Sequence, residues 1–292
     1  MKRLRYFIEV VSVIFIYGFS KILPVETASN IGGFVARMIG PRLGASRKAL
    51  SNLNKIYPEK TDQEKQEIVH GMWDNLGRVI FEYAHLKEIA KSHTQFLNDE
   101  ILKSYKNKPV VFVTAHLANW ETCQQTVWYQ YGIKAHPVYR PPNNSFVDRL
   151  LIKIRSVEGN VKPIPKARSG TRLMVETLQA NESLGLLIDQ KYNEGLVTDF
   201  MGHPAKTADN FIALAKKFDV PIIPVQTIRR QKSYGFDIIV HDPIYITQDN
   251  EKTTLTEIHR LFENWINQNP SQWLWLHRRW MTQEEIRKHH EK

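Results

Sequence analysis

The chain has 292 residues, long enough to bury roughly three quarters of its unfolded surface, so one large domain with a sizeable core is the first expectation. Forty Lys and Arg against thirty Asp and Glu leave a formal charge of +10, which implies acidic partners: nucleic acid, anionic lipid or acidic proteins. The single cysteine, Cys123, excludes an internal disulfide.

In chain order, the first predicted element is the apolar run 6–23, preceded by Lys2, Arg3 and Arg5, with Glu9 and Lys21 near its two ends. Its length is near the ~20 residues that span a bilayer. No small-residue cleavage site closes it, so a membrane-anchoring helix over residues 1–25 is expected rather than a signal peptide. The helix either crosses the bilayer or lies on its cytoplasmic side, and residues 26–292 form the body. Residues 28–49, with small side chains and Arg37, Arg42 and Arg47, are expected to extend the contact with anionic head groups. Residues 61–90 are helical in period, with Thr61 and Glu64 forming a capping box. From Pro109 onward strands alternate with helices. The strands are 109–114, 135–140, 161–165, 184–189 and 220–227, and the helices lie near Asn119, Ser145, Ser169 and Asp209. Residues 235–240 and 244–247 suggest an added hairpin or edge, and 254–267 a last helix. This order defines an α/β fold, a mixed and largely parallel sheet flanked by helices.

The segment Pro109 to Thr114 is short, apolar and β-branched, as in a strand buried on both faces. It leads into Ala115-His116-Leu117-Ala118-Asn119-Trp120-Glu121, and open α/β sheets put their chemistry at such strand ends. Residues five apart on an ideal helix point ~140° away from each other. His116 on the loop and Glu121 in the first turn of the helix 119–131 would instead let carboxylate meet imidazole, the requirement for a general base acting on an alcohol. The alternative is a hydrogen-bonded structural histidine. A metal site is the weaker reading, because helix-borne zinc pairs use His at i and i+4 with a third ligand. Arg140 follows a strand and suits bidentate pairing with a phosphate or sugar oxygens, or else a surface salt bridge. Asp189 ends another strand, where it either orients Arg140 or Arg155 or caps a helix. Lys166, Arg168 and Arg172 form a basic patch for a head-group phosphate or a carrier protein, or a solvated face. Trp273, Trp275 and Trp280 read as packing or membrane-contact residues, and Cys123 as a small packing residue.

The run His116-x4-Glu121 resembles the His-x4-Asp/Glu motif of the glycerolipid and lysophospholipid acyltransferase superfamily, and more narrowly the branch that adds late secondary acyl chains to lipid A. The position before His is commonly Gly in that family and is Ala115 here. Further blocks resemble the family in order: Val138 to Asn144, with Arg155 in the helix after it; Leu186 to Gln190; Phe200-Met201-Gly202 with Thr207; Val220 to Val225; and Pro270 to Trp280. The resemblance implies an acyltransferase that moves a fatty acyl chain from acyl-acyl carrier protein to a hydroxyl of a phosphorylated glycolipid, a lipid A precursor. His116 would deprotonate the hydroxyl, Glu121 would support it, and Asn119, Arg140, Arg155, Arg168 and Asp189 would bind substrate. It implies no cofactor, no metal and no nucleic-acid partner, contact with membrane lipid, and a place on the bacterial inner membrane with the site facing the cytoplasm. Lauroyl, myristoyl and palmitoleoyl donors all stay open. Transfer to another bacterial lipid or glycolipid, or hydrolysis of a thioester by the same pair, is the alternative.

Overall fold

The computed structural model describes residues 2–246 and 250–291. The N-terminal third is helical: α1 (Lys2–Lys21), α2 (Val25–Ile39), α3 (Ser46–Ile56), α4 (Asp62–Glu82) and α5 (Leu86–Ser92). The strands and helices that follow are β1 (Thr94–Leu97), α6 (Glu100–Ser104), β2 (Val111–Thr114), α7 (Glu121–Tyr131), β3 (Ala135–Tyr139), α8 (Ser145–Arg155), β4 (Ile164–Pro165), α9 (Arg168–Gln179) and β5 (Ser183–Leu187). The chain closes with β6 (Leu196–Phe200), β7 (His203–Thr207), α10 (Asn210–Phe218), β8 (Ile222–Arg229), β9 (Phe236–Val240), α11 (Glu251–Gln268) and α12 (Gln283–His290).

Seven strands form one sheet in the order β1-β9-β8-β2-β5-β3-β4. Every neighbouring pair is parallel except β8 and β9. The largely parallel sheet expected from the alternation is therefore present. Val111, Phe112 and Val113 are buried, because helices cover both faces of such a sheet and each side chain meets a core. One core lies around Val111, Val113, Leu184 and Leu186 with α10 and α11. The other lies around Phe112, Val127 and Val225 beneath α7. Since β2, β3 and β5 run the same way, the residues that follow them emerge at one edge.

Several boundaries differ from expectation. The capping box is formed as expected, with Thr61 Oγ1 accepting from the Glu64 N–H and the Glu64 carboxylate accepting from the Thr61 N–H. The helix it opens ends at Glu82, and a 3-10 turn over Tyr83–His85 bends the chain into α5. Residues 235–240 pair with β8 and β1 rather than with the segment after them. Ile244 makes one bridge, to Ile222, and Thr247 lies outside the described residues. Of 161–165 only Ile164 and Pro165 form strand.

One N-terminal expectation needs correction. No helix among the described residues is long and apolar enough to cross a membrane; in α1 Glu9 and Lys21 interrupt the apolar run. The helix is docked on the body, with Ser20 Oγ donating to the Phe81 carbonyl (2.5 Å), Lys21 Nζ to Ala84 (2.9 Å) and Asn144 Nδ2 to Tyr6 (3.0 Å). The small residues of α2 serve helix packing: Ala28, Ser29, Gly32 and Gly33 are buried, and a Cβ on Gly32 would come within 2.4 Å of the Gly77 carbonyl of α4. Arg37 pairs with Asp74 at 2.7 Å.

Candidate active site

The turn that carries His116 is held at both ends. Leu117 bridges Trp273, the Leu274 N–H donates to the His116 carbonyl (3.2 Å), and the Ala118 N–H donates to Gln272 (3.0 Å). These contacts keep Ala118 in the left-handed region at φ 50°, a conformation that costs a non-glycine residue about 1–2 kcal/mol. The imidazole is thus fixed at the strand end by backbone contacts with the segment 270–280.

The carboxylate that meets this imidazole is Asp189, not the expected Glu121. His116 Nδ1 lies 2.7 Å from Asp189 Oδ1, and the His116 N–H donates to Oδ2 at 2.9 Å. Register explains the choice: Thr114 pairs with Leu187 across β2 and β5, so continuing both strands by two residues sets His116 beside Asp189. Trp273 Nε1 donates to Oδ2 at 2.8 Å, giving the 1 % exposed carboxylate a third donor. Burial pushes this carboxyl upward, but the His116 charge and these hydrogen bonds outweigh it and hold it at about 2. With Nδ1–H held by the carboxylate, Nε2 is left as the proton acceptor. Gln190 Nε2 lies 3.2 Å from it, and the Trp120 ring stands edge-on to the imidazole with centroids 5.0 Å apart.

Glu121 opens α7 as expected and pairs with Arg155. Arg155 Nε donates to Oε2 at 2.9 Å, and its Nη2 to Oε1. Tyr83 donates to Oε1 at 2.7 Å and Trp120 Nε1 at 3.2 Å. Burial raises the Glu121 carboxyl, and the Arg155 charge and hydrogen bond more than reverse that, so it is ionised. Burial and Glu121 together push the Tyr83 phenol well above its ordinary range. Arg155 also stands over the Tyr139 ring at 5.5 Å. Asp189 therefore orients His116, and the arginine expected to rest on Asp189 rests on Glu121.

Asn119, expected to bind substrate, is fully buried and is not among the residues that line the cleft. Its Nδ2 donates to Glu82 Oε2 at 2.8 Å, and its Oδ1 accepts the Glu121 N–H at 3.2 Å. Glu82, 0 % exposed, also takes both Arg229 Nη groups, Ser29 Oγ and Tyr234 OH. Arg229 Nε reaches Asn75 Oδ1 (3.1 Å), and Asn75 Nδ2 donates to the Ala118 carbonyl (2.9 Å). A buried ion pair saturated in this way ties α2, α4 and β8 to the turn that carries His116.

Over these groups lies a cleft of about 330 Å³ between the sheet and α7. Its upper walls carry His116, Tyr83, Arg140, Arg155, Lys166 and His277, and its depth is apolar, with Phe112, Val127, Ala135 and Val225. The His277 ring lies 6.3 Å from that of His116, and burial, then His116, lower its pKa. Burial, then Arg140, lower the Lys166 ammonium. Among the described residues neither Arg140 nor Lys166 meets a carboxylate in an ion pair. Arg168 begins α9, and its side chain lies outside the described part. Cys123 lines the cleft, and burial pushes its thiol up to about 12, which disfavours the nucleophilic thiolate. Among the described residues no cluster of three His, Cys, Asp or Glu is set to hold a metal ion.

Tyr83, Gln190, Trp273 and His277 reach the site without being expected there. Gln190 falls in the block 186–190, and Trp273 and His277 in the block 270–280, with no site role assigned to any of them; Tyr83 sits within a helical period, where no local pattern points to it.

A carboxylate-held imidazole stands at the ends of parallel strands, at the head of an apolar cleft in an α/β fold. Residues 1–282 match the family of bacterial lipid A biosynthesis acyltransferases, and the chain belongs to it; it is an acyltransferase. It is 24% identical over 248 residues to a lipid A biosynthesis lauroyltransferase of Escherichia coli K12, covering 80% of this chain and 78% of that protein. A palmitoleoyltransferase of the same strain is 21% identical over 270 residues, covering 89% and 87%. A lipid A biosynthesis acyltransferase of Haemophilus influenzae is 19% identical over 264 residues, covering 87% and 81%.

Proposed function

We propose that this enzyme transfers a fatty acyl group from the thioester of acyl-acyl carrier protein to a hydroxyl of a phosphorylated lipid A precursor. The observation that carries the reading is His116 held by Asp189 at the head of an apolar cleft. Asp189 fixes the Nδ1–H tautomer, and Nε2 takes the acceptor's hydroxyl proton as its oxygen attacks the thioester carbonyl. The C–O bond forms, and the tetrahedral intermediate then expels the thiolate by breaking the C–S bond. The imidazolium returns the proton to sulfur. No cofactor enters this sequence, because the thioester is already activated. Glu121 acts at one remove, by presenting Arg155 to the cleft. Arg140 and Lys166, at its mouth, supply positive charge for a phosphate of the acceptor or of the donor's phosphopantetheine.

The same reading sets the enzyme on the cytoplasmic face of the inner membrane. Leu4, Phe7, Val11 and Phe15 of α1 and Phe34 and Met38 of α2 are exposed, and apolar surface rimmed by Arg and Lys suits the plane of an anionic bilayer. In this reading residues 1–25 lie along the membrane surface and 26–292 form the catalytic body.

Mass spectrometry of lipid A from cells with and without the chain tests the proposal: a mass difference equal to one acyl group is expected. Purified enzyme given acyl-acyl carrier protein should release no free fatty acid when the acceptor is withheld. Rapid release in its absence would make the enzyme a thioesterase.

A further inference from the structure

Gly185 stands in the middle of β5, with Phe112 of β2 on one side and Pro137 of β3 on the other. A glycine inside a strand is unfavourable, since it forfeits backbone entropy and offers nothing to pack. The usual reasons for keeping one are a left-handed backbone or a close approach of another chain. Neither applies. Gly185 is absent from the positive-φ residues, and a Cβ built on it meets nothing nearer than the His136 carbonyl at 3.9 Å and Pro137 Cα at 4.0 Å. The contrast with Gly170 is plain, because a Cβ there would sit 1.8 Å from the Pro165 carbonyl.

The open space beside Gly185 is the cleft, which it lines together with Phe112, Ala135, Pro137, Cys123 and Val127. Side chains alternate along a strand, so 112, 114 and His116 share one face of the sheet, as do 185, 187 and Asp189. The catalytic pair and Gly185 therefore mark the head and the depth of one channel. Four residues at ~3.3 Å each separate Asp189 from Gly185 by roughly 13 Å, and an extended acyl chain gaining about 1.3 Å per carbon arrives there near its tenth carbon.

We propose that the missing side chain at Gly185 is the passage for an acyl chain longer than about ten carbons, making this residue the one that sets which donor lengths the enzyme accepts. The proposal rests on the acyl-transfer reading above and goes further by naming the residue that sets the length. A larger residue at 185 fills the channel beyond the tenth carbon and leaves the head of the site untouched.

The test uses the full chain, a lipid A precursor acceptor, and acyl carrier protein loaded in turn with octanoyl, dodecanoyl and hexadecanoyl groups. For Gly185→Leu, kcat/KM for the two longer donors should fall about 100-fold or more, while octanoyl transfer stays within about threefold. Gly185→Val should fall between. Gly185→Ala, which the surrounding space accepts without displacement, should raise the midpoint of thermal unfolding and lower the hexadecanoyl-to-octanoyl ratio several-fold. If the leucine variant does not fold, the alanine ratio decides. An unchanged length profile, or an equal loss for all three donors in a folded variant, overturns the role of Gly185 and leaves acyl transfer standing. Failure of the unaltered enzyme to transfer any of the three overturns both.

Discussion

Asp189 and Glu121 both meet a cation or imidazole, yet the consequences of neutralising them should differ. Asp189→Asn keeps an acceptor for Trp273 and for the His116 N–H but no longer holds the Nδ1–H tautomer. It should lower kcat by about 10² or more with little change in KM, measured by acyl transfer at saturating donor. Glu121→Gln leaves Arg155 unpaired in a site where the arginine side chain is only 14% exposed. That change should cost about 3–5 kcal/mol of folding stability, measured by urea unfolding, with KM raised as Arg155 drifts. A loss of turnover confined to the Glu121 variant would exchange the two roles. At this scale His116 and Glu121 were legible from one short motif, and Asp189 as a strand-end residue. Which carboxylate pairs with the imidazole was not, because it depends on β2 and β5 being neighbours, and strand order leaves no trace in local spacing.

Among the elements, the β6–β7 hairpin and the segment 270–280 pack together around one buried charge. Arg279, 0% exposed, donates to Thr207 Oγ1 at 2.7 Å and to His259 Nε2 at 3.1 Å. Burial, followed by the Arg279 charge, lowers His259 from 6.5 to about 3, with the Asp199 carbonyl acting the other way. Folded protein therefore leaves this ring neutral where the unfolded chain protonates it. Its contribution is complete above pH 6.5 and is lost as pH falls toward 3, with a slope of up to about 1.4 kcal/mol per pH unit. His259→Gln should flatten the fall of the urea midpoint across that window, and an unaltered slope would show that the histidine is already charged in the fold. The hairpin itself leaves little local signal in the sequence. Its two-residue turn is Met201-Gly202, with φ 51° and 74°, and methionine in a left-handed turn position carries none of the usual Asn-Gly or Asp-Gly signal. The edge strand β1 leaves little signal for a related reason, since only Phe96 of its four residues is buried. The central strands were legible because burial on both faces enforces continuous apolar runs.

For the whole molecule, charge and apolar surface act together. Basic residues and the exposed apolar face of α1 and α2 predict binding to vesicles of anionic phospholipid that weakens as salt rises. Replacing Phe7, Val11 and Phe15 together by Gln should reduce co-sedimentation with such vesicles at least about tenfold while the unfolding midpoint holds. Unchanged sedimentation would move the membrane contact elsewhere. The sequence marks α1 as apolar and basic, but its docking on α4 and α8 comes from contacts such as Asn144 to Tyr6, 138 residues apart, which no window of sequence contains.

The most direct test of the central claim is acyl transfer by His116→Gln, assayed with acyl-acyl carrier protein and a lipid A precursor beside the unaltered enzyme. Glutamine retains a donor toward Asp189 but supplies no base, so transfer should fall by about 10³ or more at an unchanged unfolding midpoint. Transfer within a few-fold of the unaltered enzyme would contradict the account.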